Sequence, residues 1–440
     1  MIKKVIPDWL FEAILVFLIV FVPLGYGSVK GTFLFVVQIT ILVILALYLA
    51  RSFPGQLQIV YPRQTYLLVV FIAIVIFQIL PLPQAAIKFI SSKTYFFKHN
   101  YMPLDSQSGF LSLSFYRAAT KAESINLLSF LILFLVTLNT IKKRSQFERL
   151  FLTIIIWGAI LSFYGVIKKY FIINAEITGA FSTFGNRNHF AGYMVMVAPL
   201  AVGHALYYRD KAKKIIFGFL AVLISASVFI SLSRAGSLSL IFSLLLMGIF
   251  SKRKFLIKSS GWIIPLVLIF GLGLVLIPGL APIKARFIMI EEGFLGRLKI
   301  AANSLAIIKD FPLFGIGLGN FSYIFPYYQE FAWSKFFYHL HNDHLQMVVE
   351  TGLIGAFFYL GFIVTIFKSI LKKISQRQDS FVKIITLSGA CGLIGVLLHS
   401  FFEFNFHIPA TTFLFWLILA LIYKCVNTQF NHHVTNKNRT

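Results

Sequence analysis

The sequence contains few acidic residues and little charge overall. Its 440 residues include 15 Asp and Glu against 40 Lys and Arg, and charged residues make up 12% of the chain, whereas soluble domains carry about a quarter. In a soluble protein the net charge of +25 would indicate nucleic-acid binding. Here the basic residues lie in short segments between apolar runs, as topology signals and lipid headgroup contacts do. We therefore predict membrane lipids as partners and no nucleic acid.

Cysteine is also scarce. Cys391 and Cys425 are the two cysteines, and both lie in apolar segments, so neither a disulfide framework nor a cysteine metal site is indicated. The sequence has no internal repeat of fixed period. The apolar run after Lys3 and Lys4 has no evident small-residue cleavage site, so it is predicted to be an uncleaved first span.

Long apolar runs are abundant, because 58% of the residues are hydrophobic. A helix needs about 20 mostly apolar residues to cross a bilayer. We predict an all-α polytopic membrane protein, a single transmembrane domain over 1–426 with a polar tail over 427–440. Its twelve predicted spans lie at about 10–26, 31–50, 65–82, 124–139, 149–170, 189–208, 215–231, 235–250, 261–279, 345–370, 381–402 and 409–426.

The basic residues support this order of spans. Most of them fall in alternate short connections, and connections on the cytoplasmic side are enriched in Lys and Arg. Both termini are then cytoplasmic. Two long loops, at about 83–123 and 280–344, lie on the opposite side.

The second long loop carries two local patterns. Apolar residues recur at helical spacing between Gly296 and Lys309, which predicts an amphipathic helix at the membrane interface. These residues are Leu298, Ala301, Ala302, Leu305 and Ile308. The glycines at 315, 317 and 319 resemble a nucleotide-binding loop, but no strand precedes them. They predict instead a loop whose backbone approaches a ligand or a neighbouring segment.

Three histidines, His339, His341 and His344, precede the tenth span. Three functions are compatible with this cluster. Asn342 or Asp343 caps the helix that follows, an imidazole acts as a general base, or the histidines bind a metal ion. The spacing matches no standard zinc motif, and no second acidic ligand is evident nearby.

Arginines also occur on the side opposite the basic connections. Arg187, Arg234 and Arg297 each lie there, against the positive-inside bias. A single such arginine is explained by contact with headgroup phosphates. Several near a histidine cluster favour a bound anion, because Arg forms bidentate phosphate contacts. Glu403, in the last turn on this side, is expected to pair with one of these arginines or with His341.

Five segments together resemble the O-antigen ligase and O-antigen polymerase superfamily of bacterial envelope proteins. They are FGNRNHFAG at 184–192, SRAG at 233–236, PLFGIGLGNF at 312–321, HNDHLQ at 341–346 with ETGLIG at 350–355, and residues 399–409. Their order and spacing match the family from residue 184 to the last span. The first five spans are similar in hydropathy alone.

The resemblance implies an inverting glycosyltransferase without metal or cofactor. It would transfer a glycan from undecaprenyl pyrophosphate to an acceptor hydroxyl at the periplasmic face of the bacterial inner membrane. The acceptor is lipid A-core for a ligase and another lipid-linked glycan for a polymerase. The resemblance places the catalytic base at His341 and pyrophosphate contacts at Arg187, Arg234 and Arg297. Supporting residues are expected at Asn342, Asp343, His399 and Glu403.

Two other classes compete with a transferase. A transporter or flippase for a lipid-linked glycan also needs arginines for phosphate, but it typically has paired broken helices or an internal repeat. A non-enzymatic scaffold does not account for histidines and arginines on one side. The sequence leaves open ligase against polymerase, the identity of the sugar, and His339 or His344 as alternatives to His341.

Overall fold

The structure is a computed structural model that describes residues 6–52, 59–102, 109–171, 179–251, 280–332 and 336–430, with the backbone alone for 280–294. The predicted ninth span, 261–279, and residues 431–440 of the predicted tail lie outside the described residues. The helices and strands in these ranges are α1 Asp8–Phe21, α2 Leu24–Ser28, α3 Gly31–Ser52, α4 Thr65–Ile79, β1 Leu82–Pro83, α5 Gln84–Ile90, α6 Ser92–Tyr101, β2 Phe110–Leu111, α7 Arg117–Thr140, α8 Arg144–Phe171, α9 Arg187–Tyr207, α10 Lys211–Ile230, α11 Arg234–Phe250, α12 Leu280–Asp310, α13 Phe321–Ile324, α14 Asp343–Gln376, α15 Ser380–His399 and α16 Pro409–Asn427.

The chain is a multi-pass, mostly helical membrane protein. Eight helices of the described residues, namely α3, α7, α8, α9, α10, α14, α15 and α16, are long and apolar enough to cross a membrane. The shorter apolar helices α4 and α11 fall on predicted spans as well, and α1 has 14 residues. The total of twelve spans stays a prediction.

Some predicted boundaries are wrong. The first span was expected to reach Tyr26, but α1 ends at Phe21 and the backbone turns through Gly25, Tyr26 and Gly27 with positive φ. The fourth was expected to begin at 124, whereas α7 begins at Arg117. Charged side chains near a helix end reach the headgroup region, so the helix extends beyond its apolar part.

Ion pairs define one end of the helix bundle, here named the basic end. Asp8 at the start of α1 contacts Arg51 at 2.7 Å and Lys143 at 3.6 Å. Arg144 contacts Asp379 at 3.4 Å and donates to the Tyr207 hydroxyl at 2.6 Å. These contacts join connections that the charge pattern places on one side. The opposite end, the site end, carries His341 and Glu403.

Helix α9 lies at the centre and packs on α10, α11 and α15. Its residues from His189 to Leu206 are all buried. Small residues permit this close approach. A Cβ at Gly203 would lie 2.5 Å from the Ser388 hydroxyl, and one at Gly392 of α15 would lie 2.8 Å from the Met196 carbonyl oxygen.

The predicted amphipathic helix is part of α12, which ends at Asp310 as expected. The helix buries Ile300 and Ile307 against the protein and leaves Leu298 and Leu305 exposed. The helix therefore carries apolar side chains on two faces, and its position at the membrane interface stays a prediction.

The glycine loop packs on a neighbouring helix. Helix α14 is broken at Gly352, where φ is 68°, and loop 312–317 lies against the break. The N–H groups of Gly317 and Leu353 donate to the carbonyls of Glu350 and Pro312 at 2.9 and 2.8 Å. A Cβ at Gly315 would lie 2.6 Å from the Glu350 backbone, so the glycine is required for close backbone approach.

Candidate active site

The turn between α15 and α16 carries the buried carboxylate of Glu403, whose side chain is 1% exposed. Asp343, the first residue of α14, holds this turn in place. Its N–H donates to the Ser400 carbonyl at 2.9 Å, and its Oδ2 accepts from the Phe406 N–H at 3.0 Å. Its Oδ1 lies 3.0 Å from His407 Nδ1. The start of α14 and the last turn therefore form one unit.

Glu403 contacts side chains from three other elements. Arg297 Nη2 of α12 donates to Oε1 at 2.6 Å, and the Asn188 amide of α9 donates to the same oxygen. His341 Nδ1 lies 3.2 Å from Oε2. The sequence left open whether Glu403 pairs with an arginine or with His341, and it contacts both.

These contacts fix the charge on Glu403. Burial raises the pKa of this carboxyl, but the hydrogen bond from His341 and the charge of Arg297 outweigh burial and lower the pKa to about 2. An ionised carboxylate accepts hydrogen bonds and donates none. His341 Nδ1 must therefore carry the proton, which makes its other nitrogen, Nε2, the acceptor in the neutral ring.

His341 has a strained backbone conformation. Its φ is 59°, a left-handed backbone that non-glycine residues adopt at a cost and that concentrates at functional sites. The side chain is 28% exposed. Among the described residues Nε2 has no hydrogen-bond partner, and it is not enclosed. A bound molecule can therefore reach it.

The other two histidines of the cluster contact different groups. His339 stacks on Phe404 at 4.5 Å and lies 4.4 Å from the His407 ring. Burial and the neighbouring imidazoles lower the pKa of His339 to about 2. His344 Nε2 donates to the Leu397 carbonyl at 2.8 Å. Across the described ranges, no three or more His, Cys, Asp or Glu side chains are grouped as a metal site requires.

Asn342 caps a helix, and His399 lies in the interior. Asn342 is the N-cap of α14 and accepts from the Leu345 N–H at 3.0 Å, so the capping interpretation is confirmed for this residue. His399 is fully buried, and neither ring nitrogen has a partner among the described residues. A Cβ at Gly192 would lie 3.1 Å from His399 Nδ1, so the glycine makes room for this imidazole.

The three predicted phosphate contacts are not equivalent. Arg297 pairs with Glu403 and thus lies beside His341. Arg187 begins α9 and lines a pocket together with Leu232. Arg234 begins α11, two residues after Leu232, and is exposed.

Several contacting residues were not identified from the sequence. Asn188 and His407 lie within the quoted motifs, yet nothing local separates Asn188, which contacts Glu403, from Asn186, which caps α9. Lys168 and Lys169 precede the Arg187 motif and line the Arg187 pocket. The sequence does contain a signal that could have identified these lysines. They are adjacent, and they lie at the end of a span on the side of the membrane where basic residues are disfavoured.

A cavity of about 110 Å³ lies beside the same turn. Its polar lining includes Glu123, Asp343, His344, Glu350 and His407, and its apolar lining includes Phe71, Phe130 and Trp416. Polar side chains at the site end thus also line a cavity between the helices.

No curated protein matches the chain by sequence. Residues 219–360 match the family model described as O-antigen ligase. The matched part includes Arg234, Arg297 and His341, whereas Arg187 and Glu403 lie outside it. This match confirms the resemblance to the O-antigen ligase and polymerase superfamily that the sequence motifs predicted.

Proposed function

We propose that this protein transfers a glycan from undecaprenyl pyrophosphate to an acceptor hydroxyl, as an O-antigen ligase does. The site end would face the periplasm of the inner membrane, with both termini cytoplasmic, in agreement with the basic connections at the other end. The observation that carries the proposal is the buried Glu403 between Arg297 and His341. It supports a fixed tautomer in which His341 Nε2 accepts a proton.

The reaction is one displacement. His341 Nε2 takes the proton of the acceptor hydroxyl as the oxygen attacks the anomeric carbon. The bond from this carbon to the phosphate oxygen breaks, undecaprenyl pyrophosphate leaves, and the anomeric configuration inverts. Glu403 stabilises the imidazolium that forms, as a buried carboxylate does beside a catalytic histidine. No metal or cofactor is needed for these steps.

The arginines stabilise the leaving group. Charge builds on the pyrophosphate as the bond breaks, and fixed guanidinium groups lower the energy of that state. Arg187 and Arg234 have this role. Arg297 holds Glu403, and its planar group of five N–H donors also leaves donors for a phosphate oxygen.

Two alternatives differ in a testable way. A polymerase of the same superfamily uses the same chemistry with another lipid-linked glycan as acceptor. A transporter typically has broken helices whose exposed backbone binds the substrate. The break in α14 at Gly352 is filled by the backbone of loop 312–317, which favours a transferase over a transporter.

The test uses membranes containing the full chain or one variant, supplied with lipid-linked glycan. His341→Ala is expected to lower both release of free undecaprenyl pyrophosphate and glycan transfer by about 10²-fold or more. His99→Ala, an exposed histidine outside the cluster, is the matched control and retains both. Transfer of one block to lipid A-core identifies a ligase, and a ladder of lipid-linked products identifies a polymerase. Normal transfer by His341→Ala would refute the histidine mechanism.

A further inference from the structure

The cavity of about 110 Å³ beside the last turn, here named the inner cavity, is lined by side chains of α4, α7, α14 and α16. His341 is not among the described residues that line it, but Asp343 and His344, which follow His341 closely in the chain, are. The mechanism proposed above does not use this cavity. It is therefore a neighbour of the candidate base that has no assigned ligand.

Three carboxylates line the inner cavity, and one of them has spare capacity for hydrogen bonds. Asp343 is bonded to the last turn, and Glu350 accepts three hydrogen bonds. Within the described ranges, Glu123 accepts one hydrogen bond, from the Asn126 amide at 3.3 Å, and it forms no ion pair. A carboxylate has about four acceptor positions, so Glu123 can accept hydrogen bonds from a ligand.

Two polar groups in the wall of the cavity have no hydrogen-bond partner among the described residues. They are Trp416 Nε1 and the Tyr359 hydroxyl, on residues that are 3% and 9% exposed. Neither atom is enclosed by protein, and both side chains line the inner cavity. The Trp416 ring is held between the rings of Phe134 and Phe362, at 5.6 and 5.9 Å. Because an unpaired polar group in the interior costs free energy, a ligand that bonds to these atoms is favoured.

The chemistry of these groups selects a hydroxyl-bearing ligand. An indole N–H donates only, and a carboxylate accepts only. A ligand hydroxyl can accept from Trp416 and donate to Glu123. An ionised phosphate has no proton to donate and is repelled by the carboxylates, whereas an ammonium cannot accept from the indole.

The rest of the wall suits one sugar ring. Phe71 and Phe130 give the inner cavity an apolar side, against which the C–H groups of a ring can pack. The cavity is smaller than the roughly 300 Å³ or more of a pocket for a drug-sized ligand. It therefore fits a single ring better than a chain of sugars.

We propose that the inner cavity binds one neutral sugar ring through Glu123, Trp416 and Tyr359, and that this ring belongs to the acceptor. The assignment to the acceptor rests on the proposed function. The first sugar of the donor is linked directly to a diphosphate, whose charge three nearby carboxylates would repel. A neutral ring of the acceptor meets no such repulsion.

The first test measures binding of octyl glucoside, octyl phosphate and octylamine to the full chain in phosphatidylcholine nanodiscs, with binding to empty nanodiscs subtracted. The glucoside is expected to bind most tightly. Glu123→Gln should lower its affinity about tenfold, and Trp416→Phe and Tyr359→Phe should each lower it by about three- to tenfold, because each removes one hydrogen bond and keeps the shape of the side chain or ring. Trp157→Phe is the matched control, since Trp157 lines a different pocket. It should bind the glucoside like the unaltered protein.

Unchanged glucoside affinity in the Glu123, Trp416 and Tyr359 variants would overturn the proposal. Tighter binding of octyl phosphate or octylamine than of the glucoside would overturn it as well, because the cavity would then select an anion or a cation. Affinities are compared at equal amounts of folded protein, so that misfolding is not counted as lost binding.

The second test measures transfer kinetics with the same variants. Glu123→Gln and Trp416→Phe should raise the KM for the acceptor by about the factor by which they weaken glucoside binding, with kcat and the KM for the donor nearly unchanged. A raised KM for the donor alone would overturn the assignment to the acceptor. If His341→Ala transferred glycan normally, the proposed function would fail while glucoside binding by the inner cavity stood.

Discussion

Glu403 and Glu350 are both buried carboxylates, with 0% and 1% of the residue exposed, but their partners differ. Glu350 accepts from the N–H groups of Gly319 and Phe321 at 2.8 and 3.3 Å and from the Gln346 amide at 2.9 Å. Glu403 is bound by side chains, namely Asn188, Arg297 and His341. The Glu350 carboxylate is therefore hydrogen-bonded mainly by backbone N–H groups, and the Glu403 carboxylate by side chains.

On the proposed mechanism, this difference separates a structural carboxylate from a functional one. Backbone donors do not titrate, and they move only if the loop unfolds, so Glu350 fixes the glycine loop against α14. Side-chain donors change partner by rotation and, for histidine, change charge near neutral pH. On the proposed mechanism, Glu403 orients and stabilises the imidazole that accepts the proton. Burial alone does not distinguish the two residues.

The largest expected effect is on catalysis. His341→Ala removes the proton acceptor, so transfer should fall by about 10²-fold or more, while donor binding and unfolding temperature change little. Glycan transfer is measured with each purified variant, and binding of farnesyl diphosphate is the control for donor binding. If His339→Ala or His344→Ala lost transfer and His341→Ala did not, the base would be reassigned and Glu403 would lose its proposed role.

The next effect concerns the loop that Glu350 fixes. Gly352→Ala places a Cβ 2.2 Å from the Leu313 carbonyl oxygen at a φ of 68°, which should cost about 2–4 kcal/mol from strain and overpacking. The yield of folded protein and its unfolding temperature should both drop. Gly361→Ala is the matched control in the same helix, because its nearest neighbour would lie 3.7 Å away. Equal behaviour of the two variants would contradict the close packing of loop and helix.

A pair of isosteric variants compares the two carboxylates directly. Glu350→Gln places an NH₂ group against backbone donors and should lower the free energy of unfolding by about 1–3 kcal/mol, with transfer per folded molecule nearly unchanged. Glu403→Gln should have the opposite profile, with a smaller loss of stability and a loss of transfer of about 10²-fold, because the His341 tautomer is no longer fixed. If the two variants lost stability and transfer to the same extent, the distinction between a structural and a functional carboxylate would be wrong.

The smallest expected effect is a pH dependence of stability. The pKa of Glu403 is lowered to about 2 in the folded protein, against about 4.3 in an unfolded chain. Its contribution to stability is thus complete above about pH 5 and is lost as the pH falls toward 2. The difference in unfolding temperature between the unaltered protein and Glu403→Gln should be constant from pH 5 to 7 and should shrink at pH 4 and 3. A difference that grows on acidification would show that Glu403 is not ionised in the fold.

The sequence predicted the helical spans well because their signal is local. The length and the apolar character of a span are both contained in a short window of sequence. The residues by which α12 packs on the protein could not be predicted, because Leu298 and Ile300, on different faces, are equally apolar and only tertiary packing selects Ile300.

The candidate site was predictable as a set of residue types but not as a set of contacts. Glu403 was expected to pair with an arginine or with His341, yet Asn188, which donates to it, has no distinguishing neighbour in sequence. Contacts between residues 188, 297, 341 and 403 depend on how α9, α12, α14 and the last turn meet. That arrangement is a property of the whole bundle and is not contained in any short window.

The position of Glu403 between the last two helices has a consequence for biosynthesis. Asn188, Arg297 and His341 all leave the ribosome before Glu403 does, so a partly inserted chain holds the imidazole without the carboxylate that orients it. On the proposed mechanism, the nascent protein cannot consume lipid-linked glycan until its final hairpin enters the membrane. Completion of synthesis and onset of activity would then coincide, and a chain truncated before α15 would be inserted but inert.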